Sequence, residues 1–573
     1  MLPRSESARW ALAVGAGCLV LIAINLWWVF HFRDGYPLDV DEAGYTSIGL
    51  IDFVNFKANG LHGWWEAVQN QTPNAPLLPT LTSVLLVVKP GVMAGFVVLI
   101  GFGALLTFAA YGIGERLAGP RLGALAALAV ATSQGAFIYT REYVFALPTA
   151  AFLLGAVFCL MRSDGMRARR WAILTGVCVG LMLLSRTMAV AFVPGIVVAA
   201  LLLVITRGWG GDLGRRLLNF GLAVLAGFLV AITWYWKNLD PVLDYLTSFG
   251  YGSQSQYYGA EHAFISWGRF KTVVERMLFD DLLAPLAVLV FIGLLATGVV
   301  LVRRLVETED RRAELIRIAG TDALTILLVF LAGYGALMSS RNGGNGFTFP
   351  LAMLLPPLAV IALRYYRVAL APAAALVAAI AAVNVVAHLD LWKSASEPQR
   401  VSLPVFGETP WVNGIPHAVD AIRVQSPGSE FSFDERDKGW READEELADL
   451  FLSPVGPGNE NPFVAFASRN RAISSNSVGM AALLNHRTAL PMTQLVAEPT
   501  DTVANYEHQL TDPAFGQPTG LVAMSSEAGD FEPLVTQSFA ETAARNLGFV
   551  KIREFPLPDG RTLRFWVKRS AGA

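Results

Sequence analysis

The sequence predicts an α-helical polytopic membrane protein of about 11 transmembrane helices, followed by a soluble extracytoplasmic α/β domain at the C-terminal end. Three observations predict it. Of 573 residues, 54% are hydrophobic and only 16% charged, where soluble domains carry about 25% charged residues; mean hydropathy is +0.46. The apolar residues gather into runs of the length needed to cross roughly 30 Å of hydrocarbon. From about residue 391 the composition turns polar and is punctuated by Pro and Gly.

Arg4 and Arg9 precede the first apolar run, Trp10 to Phe32, which ends in Trp27, Trp28 and Phe30, an interfacial aromatic belt. No small-residue cleavage site follows, so the run reads as a retained signal anchor. Further spans are expected near 92–117, 122–139, 144–161, 171–184, 189–205, 218–236, 282–302, 324–338, 349–363 and 368–386. Arginine collects in alternate loops, as in Arg162 to Arg170, Arg207 to Arg216 and Arg303 to Arg317. The positive-inside rule makes those loops and the N-terminus cytoplasmic, and an odd span count then places the C-terminal region outside the inner (plasma) membrane.

Residues 1–390 are thus expected to form a transmembrane module with outer loops at 33–90 and 237–281, and 391–573 an outer domain. In the first loop Trp64 and Trp65 suit interfacial depth, and 80–88, too short to cross, is expected as an amphipathic interfacial helix. The second loop contains Gly-Tyr-Gly-Ser-Gln-Ser-Gln-Tyr-Tyr-Gly, either a hydrogen-bonding lid or a plain polar loop. In the outer domain, strands are expected at 463–467 and 521–524 and helices at 477–484 and 534–547. A hairpin turning at Asp559-Gly560 closes it. Alternating strands and helices favour an α/β arrangement. No phosphate loop or metal-spaced His/Cys set occurs there, so no catalytic role is assigned to it.

Several classes are excluded. A formal net charge of −2 with no basic stripe argues against nucleic acid. Cys18, Cys159 and Cys178 all lie in apolar spans and read as small core residues. No metal is expected, since a divalent site wants several convergent acids and only one acidic cluster stands out.

That cluster is Asp39, Asp41 and Glu42, directly after the first span. The three are either a solvated loop cap or the working acids of a site; Asp41 and Glu42 are the candidates for chemistry. Arg186, Arg141 and Arg341 sit at outer ends of spans against the positive-inside trend. A phosphate accounts for them through bidentate guanidinium binding, and snorkelling to headgroups is the alternative. Arg141-Glu142 also reads as a local ion pair. Asp39, Tyr257, Tyr258 and His262 are candidate sugar or acceptor contacts, while Asp280-Asp281 is either a second acidic site or, the favoured reading, a helix N-cap before the eighth span.

In their order and shared sidedness these features resemble the GT-C glycosyltransferases. The similar branch holds the protein O-mannosyltransferases and the lipid A aminoarabinose and galacturonic acid transferases. Asp41-Glu42 matches the Asp-Glu pair of the first loop, and Asn74-Ala-Pro-Leu-Leu-Pro79 more loosely an Asn-x-x-Pro region. Gly180-Leu-Met-Leu-Leu-Ser-Arg186 is similar to the fifth-span ending. Arg341 with Phe349-Pro350 and Pro356-Pro357 is similar to the basic residue before a Pro-rich span. The resemblance covers residues 10–365. Ala43-Gly44-Tyr45 departs from the Ala-Arg-Tyr type of the aminoarabinose enzymes. The resemblance implies an inverting transfer of one sugar from a polyprenyl-phosphate donor to an extracytoplasmic lipid, glycan or protein hydroxyl. Membrane lipids and an envelope acceptor are then the partners, and no cofactor is needed beyond the lipid-linked sugar. Such a donor is already activated, so transfer needs a base for the acceptor, Asp41, and cations for the departing phosphate. A flippase of lipid-linked saccharide and an inactive GT-C scaffold in a polysaccharide assembly are the alternatives.

Overall fold

The computed structural model describes residues 5–70, 72–209, 211–252, 265–310, 318, 320–340, 346–388, 399–403, 407–412, 435–452, 463–497, 501–527 and 534–568. It is a multi-pass helical membrane protein with a small sheet near its C-terminal end. Among the described residues, seven helices are long and apolar enough to cross a membrane, or eight if one bent pair counts as a single span.

All eleven expected spans are helical, and the four that fall outside the seven have local causes. The run at 122–139 is two helices, α5 (Pro120–Ala131) and α6 (Gln134–Arg141), meeting at 54°. The Ser133 hydroxyl accepts from the Ala136 amide and restarts the helix there. Helices α7 (Ala146–Arg162) and α8 (Arg169–Ser185) each have 17 residues, short of a full span. The run at 349–363 breaks into Phe349–Ala352, Leu355–Ala359 and the 3-10 turn Val360–Arg364, where Pro350, Pro356 and Pro357 remove amide donors.

The described parts of the segments 33–90 and 237–281 are largely helical. In the first, α2 (Val40–Val68) kinks at Gly60, whose φ of 63° suits glycine. The helix expected at 80–88 is α3 (Leu77–Leu86), and its exposed positions Leu81 and Val84 are apolar. In the second, α10 (Leu213–Gly250) continues 38 residues, well past Lys237. The helix Trp267–Glu275 and a π-helical turn, Arg276–Asp281, follow later in the loop.

The chain forms two compact units, one of residues 1–27, 68–78 and 96–418, the other of 28–67, 79–95 and 419–573. In the first, α8 and α10 approach at backbone distance. A Cβ on Gly176 would collide with the carbonyl of Ala223, and one on Gly180 would lie 2.7 Å from the carbonyl oxygen of Gly227. Small residues four apart on both helices make this possible.

The first unit also holds β1 (Gln399–Leu403) and β2 (Gly407–Val412), an antiparallel pair. In the second unit a five-stranded sheet has the order β4-β3-β5-β7-β6 (Met492–Gln494, Val464–Phe466, Gly520–Met524, Thr562–Lys568, Phe549–Pro556). β3 runs parallel to β4 and β5, and β7 antiparallel to β5 and β6. Strand alternation sends Phe466, Val522 and Phe565 into a core with Trp440 and Val478. Ala465, Leu521 and Trp566 enter another core with Tyr506 and Ala540. Helices therefore cover both faces. The β6–β7 turn uses Gly560 at φ 85°, and the Arg561 amide donates to Asp559 Oδ1 at 3.0 Å.

Candidate active site

The acidic segment begins α2. Asp39 Oδ1 accepts the Asp41 amide at 3.1 Å, and Glu42 Oε2 accepts the Asp39 amide at 3.0 Å. Asp39 is thus the N-cap, its side chain on the second amide of the helix, and Glu42 three residues on reaches back to the Asp39 amide as in a capping box. Glu42 Oε2 also lies 2.6 Å from Arg33 Nη2, both side chains out of solvent. Asp39 Oδ2 lies 3.5 Å from Arg471 Nη1, and the Asn476 side-chain amide donates to the Val40 carbonyl at 2.9 Å. Burial chiefly, helped by the neighbouring Asp41 carboxylate, pushes the Asp39 carboxyl up to about 7 against the pull of Arg471. Asp39 and Glu42 are thus engaged in building the helix start, while Asp41 is the exposed carboxylate of the three.

Arg186 lies in the other unit. It is the C-cap of α8, in extended conformation at φ −157°, and the chain then turns through the 3-10 stretch Thr187–Phe192 into α9 (Val193–Gly208), which carries a proline in its first turn. The guanidinium lies 3.7 Å from the Phe347 ring centroid and its Nη1 donates to the Gly346 carbonyl at 3.2 Å. It borders a cavity of about 210 Å³ walled by Met188, Val190, Phe192, Leu246, Leu337 and Pro350. Among the described residues Arg186 is the one charged side chain lining that cavity.

Next to it, Tyr139 packs its ring on Phe349 at 4.8 Å and feels the charges of Asp281, Glu142, Asp280 and Arg186. A Cβ on Gly346 would come within 3.2 Å of that ring. Asp280-Asp281 do not cap the following helix, Ala284–Glu307, whose N-cap is Leu283. Asp281 instead accepts the Thr348 hydroxyl at 2.6 Å, and burial raises its carboxyl pKa well above the ordinary range. Two apolar residues between Asp281 and the helix start move it off the cap.

Arg141 is buried; its Nε donates to Asn25 Oδ1 at 2.9 Å, and the guanidinium lies 5.1 Å from the Phe137 ring centroid. Its partners belong to the bundle interior. Arg341, Tyr257, Tyr258 and His262 lie outside the described residues. No three His, Cys, Asp or Glu side chains converge as metal ligands among the described residues. Arg33, Arg471 and Phe347 were not singled out by the sequence reading. For Asp39 and Glu42 the signal was present in the Asp-x-x-Glu spacing, a capping-box signature before an apolar run.

No family model matches the chain, and no curated protein matches it. Among solved structures, ArnT from Cupriavidus metallidurans in the apo state is similar at TM-score 0.56 and 14% identity, over 98% of each chain. ArnT bound to undecaprenyl phosphate is similar at 0.54 and 15%, over 97% of this chain and 98% of that one. The arabinofuranosyltransferase AftD from Mycobacteria is similar at 0.51 and 14%, over 97% of this chain and 40% of that one.

Proposed function

We propose that this chain, which has the GT-C fold of its structural neighbours, is a membrane glycosyltransferase. It takes a single sugar from a polyprenyl monophosphate donor and places it, with inversion, on an extracytoplasmic hydroxyl. The observation that carries the reading is the Arg186 cavity. Apolar walls among apolar helices accept prenyl units, and the Arg186 guanidinium at the edge receives a phosphate. One of the similar structures holds undecaprenyl phosphate, which supports a lipid of this class.

In the proposed step Asp41 takes the proton of the acceptor hydroxyl as its oxygen attacks the anomeric carbon. The bond to the donor phosphate breaks, and polyprenyl phosphate leaves with its growing charge met by a cationic side chain. Asp41 fits the part of base because its carboxylate is exposed while Asp39 and Glu42 are committed to the cap. The loop arginines that follow the positive-inside trend support an orientation with the N-terminus in the cytoplasm.

The test is incubation of the purified full chain with undecaprenyl-phosphate hexoses and pentoses, reading release of undecaprenyl phosphate by mass spectrometry. Asp41→Asn is expected to abolish release and Arg186→Gln to weaken donor use; wild-type turnover by Asp41→Asn would refute the base. The flippase reading predicts paired broken helices or ionisable residues deep within spans; among the described residues one helix pair is bent, by 54° between α5 and α6. Translocation in vesicles without covalent transfer would favour that reading.

A further inference from the structure

Within the second unit a contact joins residues more than four hundred positions apart in the chain. Arg471 belongs to loop 467–474, which leaves the C-terminal end of β3 and enters the helix Ser475–His486. β3 has parallel partners on both sides. Its C-terminal end is therefore the place where such sheets hold what they bind.

The loop is stiffly built. Asn470 Oδ1 accepts the amides of Ala472 and Ile473 at 2.8 and 3.2 Å. Ser468 Oγ accepts the Asn470 amide at 3.3 Å, and Ser474 and Ser477 form a capping box at the helix start. What this loop meets is the start of α2. Arg471 reaches Asp39 Oδ2 at 3.5 Å, and Asn476 holds the Val40 carbonyl. A Cβ on Gly44, one turn on, would fall 2.9 Å from the Asn476 side-chain nitrogen. Glycine at 44 therefore permits the approach.

We propose that Arg471 is a positioning residue for Asp41, acting through Asp39. One oxygen of Asp39 is held by Arg471 while the other holds the Asp41 amide, so the C-terminal loop sets the direction in which Asp41 leaves the first turn of α2. This rests on the reading of Asp41 as the base. It gives the α/β region a part in the reaction, although no reacting group comes from it. The charged groups facing Asp39 are Asp41 and Glu42 on its own helix and Arg471 on the loop, with Arg33 behind Glu42. Arg471 is the cation that favours the ionised, strongly accepting form of Asp39. Its removal leaves Asp39 protonated to higher pH and loosens the first turn.

Two measurements on the full-length chain test this. Hydrogen–deuterium exchange read by mass spectrometry should show amides 40–46 opening at least about fivefold more often in Arg471→Ala, with exchange in α10 unchanged, and mostly restored in Arg471→Lys. The pH profile of undecaprenyl phosphate release from undecaprenyl-phosphate sugars should show a lower kcat at similar KM. Its acid limb should move to higher pH in Arg471→Ala, and that shift should disappear when Arg471→Ala is made in the Asp39→Asn background, which keeps the cap. Unchanged exchange at 40–46 overturns the proposal. So does an unshifted acid limb in Arg471→Ala while Asp41→Asn is inactive. If Arg471→Ala does not fold, Arg471→Gln decides, since it keeps most of the side chain without its charge, and wild-type exchange at 40–46 in it overturns the proposal. Full activity of Asp41→Asn removes the underlying reading and is distinguishable from either result.

Discussion

Arg33 and Glu42 meet at 2.6 Å with both side chains out of solvent. Nine residues separate them, and between them the chain leaves α1 (Glu6–Phe32) and begins α2. The pair therefore fixes the turn that presents Asp41. Breaking a buried pair strands a charge, whereas removing both charges is far less costly. Arg33→Met is expected to lower stability by about 3–5 kcal/mol. Adding Glu42→Gln, which keeps the capping carbonyl, should recover most of that loss. Thermal unfolding of the detergent-purified variants checks it; equal losses in the single and double variants would refute the pairing.

The α8–α10 interface gives a second prediction. A methyl at 176 meets the backbone of Ala223, which cannot move aside as a flexible side chain does. Gly176→Ala is expected to cost about 2–4 kcal/mol and to reduce the yield of monodisperse protein. Gly298→Ala, on Ala284–Glu307 with open space around its Cβ, should be neutral or slightly stabilising. Equal behaviour of the two variants would contradict the close packing.

The fold was largely legible because hydropathy and period carry it. All eleven apolar runs are helical, and the hairpin at Asp559-Gly560 and the strands at 464–466 and 520–524 lie where the Asp-Gly turn and the short apolar runs put them. The helix Lys438–Leu452 was missed: its amphipathic stripe is set among charges, and Trp440, Leu447 and Phe451 reveal their face only against the sheet. The helices Val40–Val68 and Trp267–Glu275 have no counterpart in the sequence reading because their polar residues suppress the hydropathy on which the spans rest. In the candidate site, Arg186 stood out by its sidedness. Arg33, equally buried in meaning, looked like any flanking cation because its partner Glu42 had been given to chemistry. Distances between distant segments, such as Arg471 to Asp39, leave no trace in a single sequence.

Asp39 makes stability depend on pH with a definite sign. Its carboxyl titrates at about 7 in the folded chain, against 3.8 ordinarily. The folded state thus holds a proton that the unfolded state has lost between these values, and stability falls as pH rises through that window. The shift corresponds to about 4 kcal/mol, fully lost above pH 7. Asp39→Asn cannot ionise and still caps the helix. It should remove this slope and be more stable than wild type at pH 8. Unfolding midpoints measured across the window check it, and an unaltered slope in Asp39→Asn would be the contrary result.

Arg186 yields the most direct test of ligand chemistry. Its guanidinium stacks on Phe347 and donates to the Gly346 carbonyl, and the planar fork of an arginine matches a phosphate by two parallel hydrogen bonds. Loss of a charged hydrogen-bonding group costs about 1.5–3 kcal/mol, roughly 10- to 100-fold in Kd. Arg186→Gln should weaken binding of undecaprenyl phosphate by that factor. Arg186→Lys should fall between, because a point charge neither stacks nor binds in fork geometry. Arg303→Gln, whose exposed side chain pairs with Glu307 on the same helix, should leave affinity unchanged. The three affinities are measurable by titrating undecaprenyl phosphate into detergent-solubilised protein. If Gln, Lys and wild type at 186 bind alike, the cavity is not where the phosphate sits, and the donor assignment falls with it.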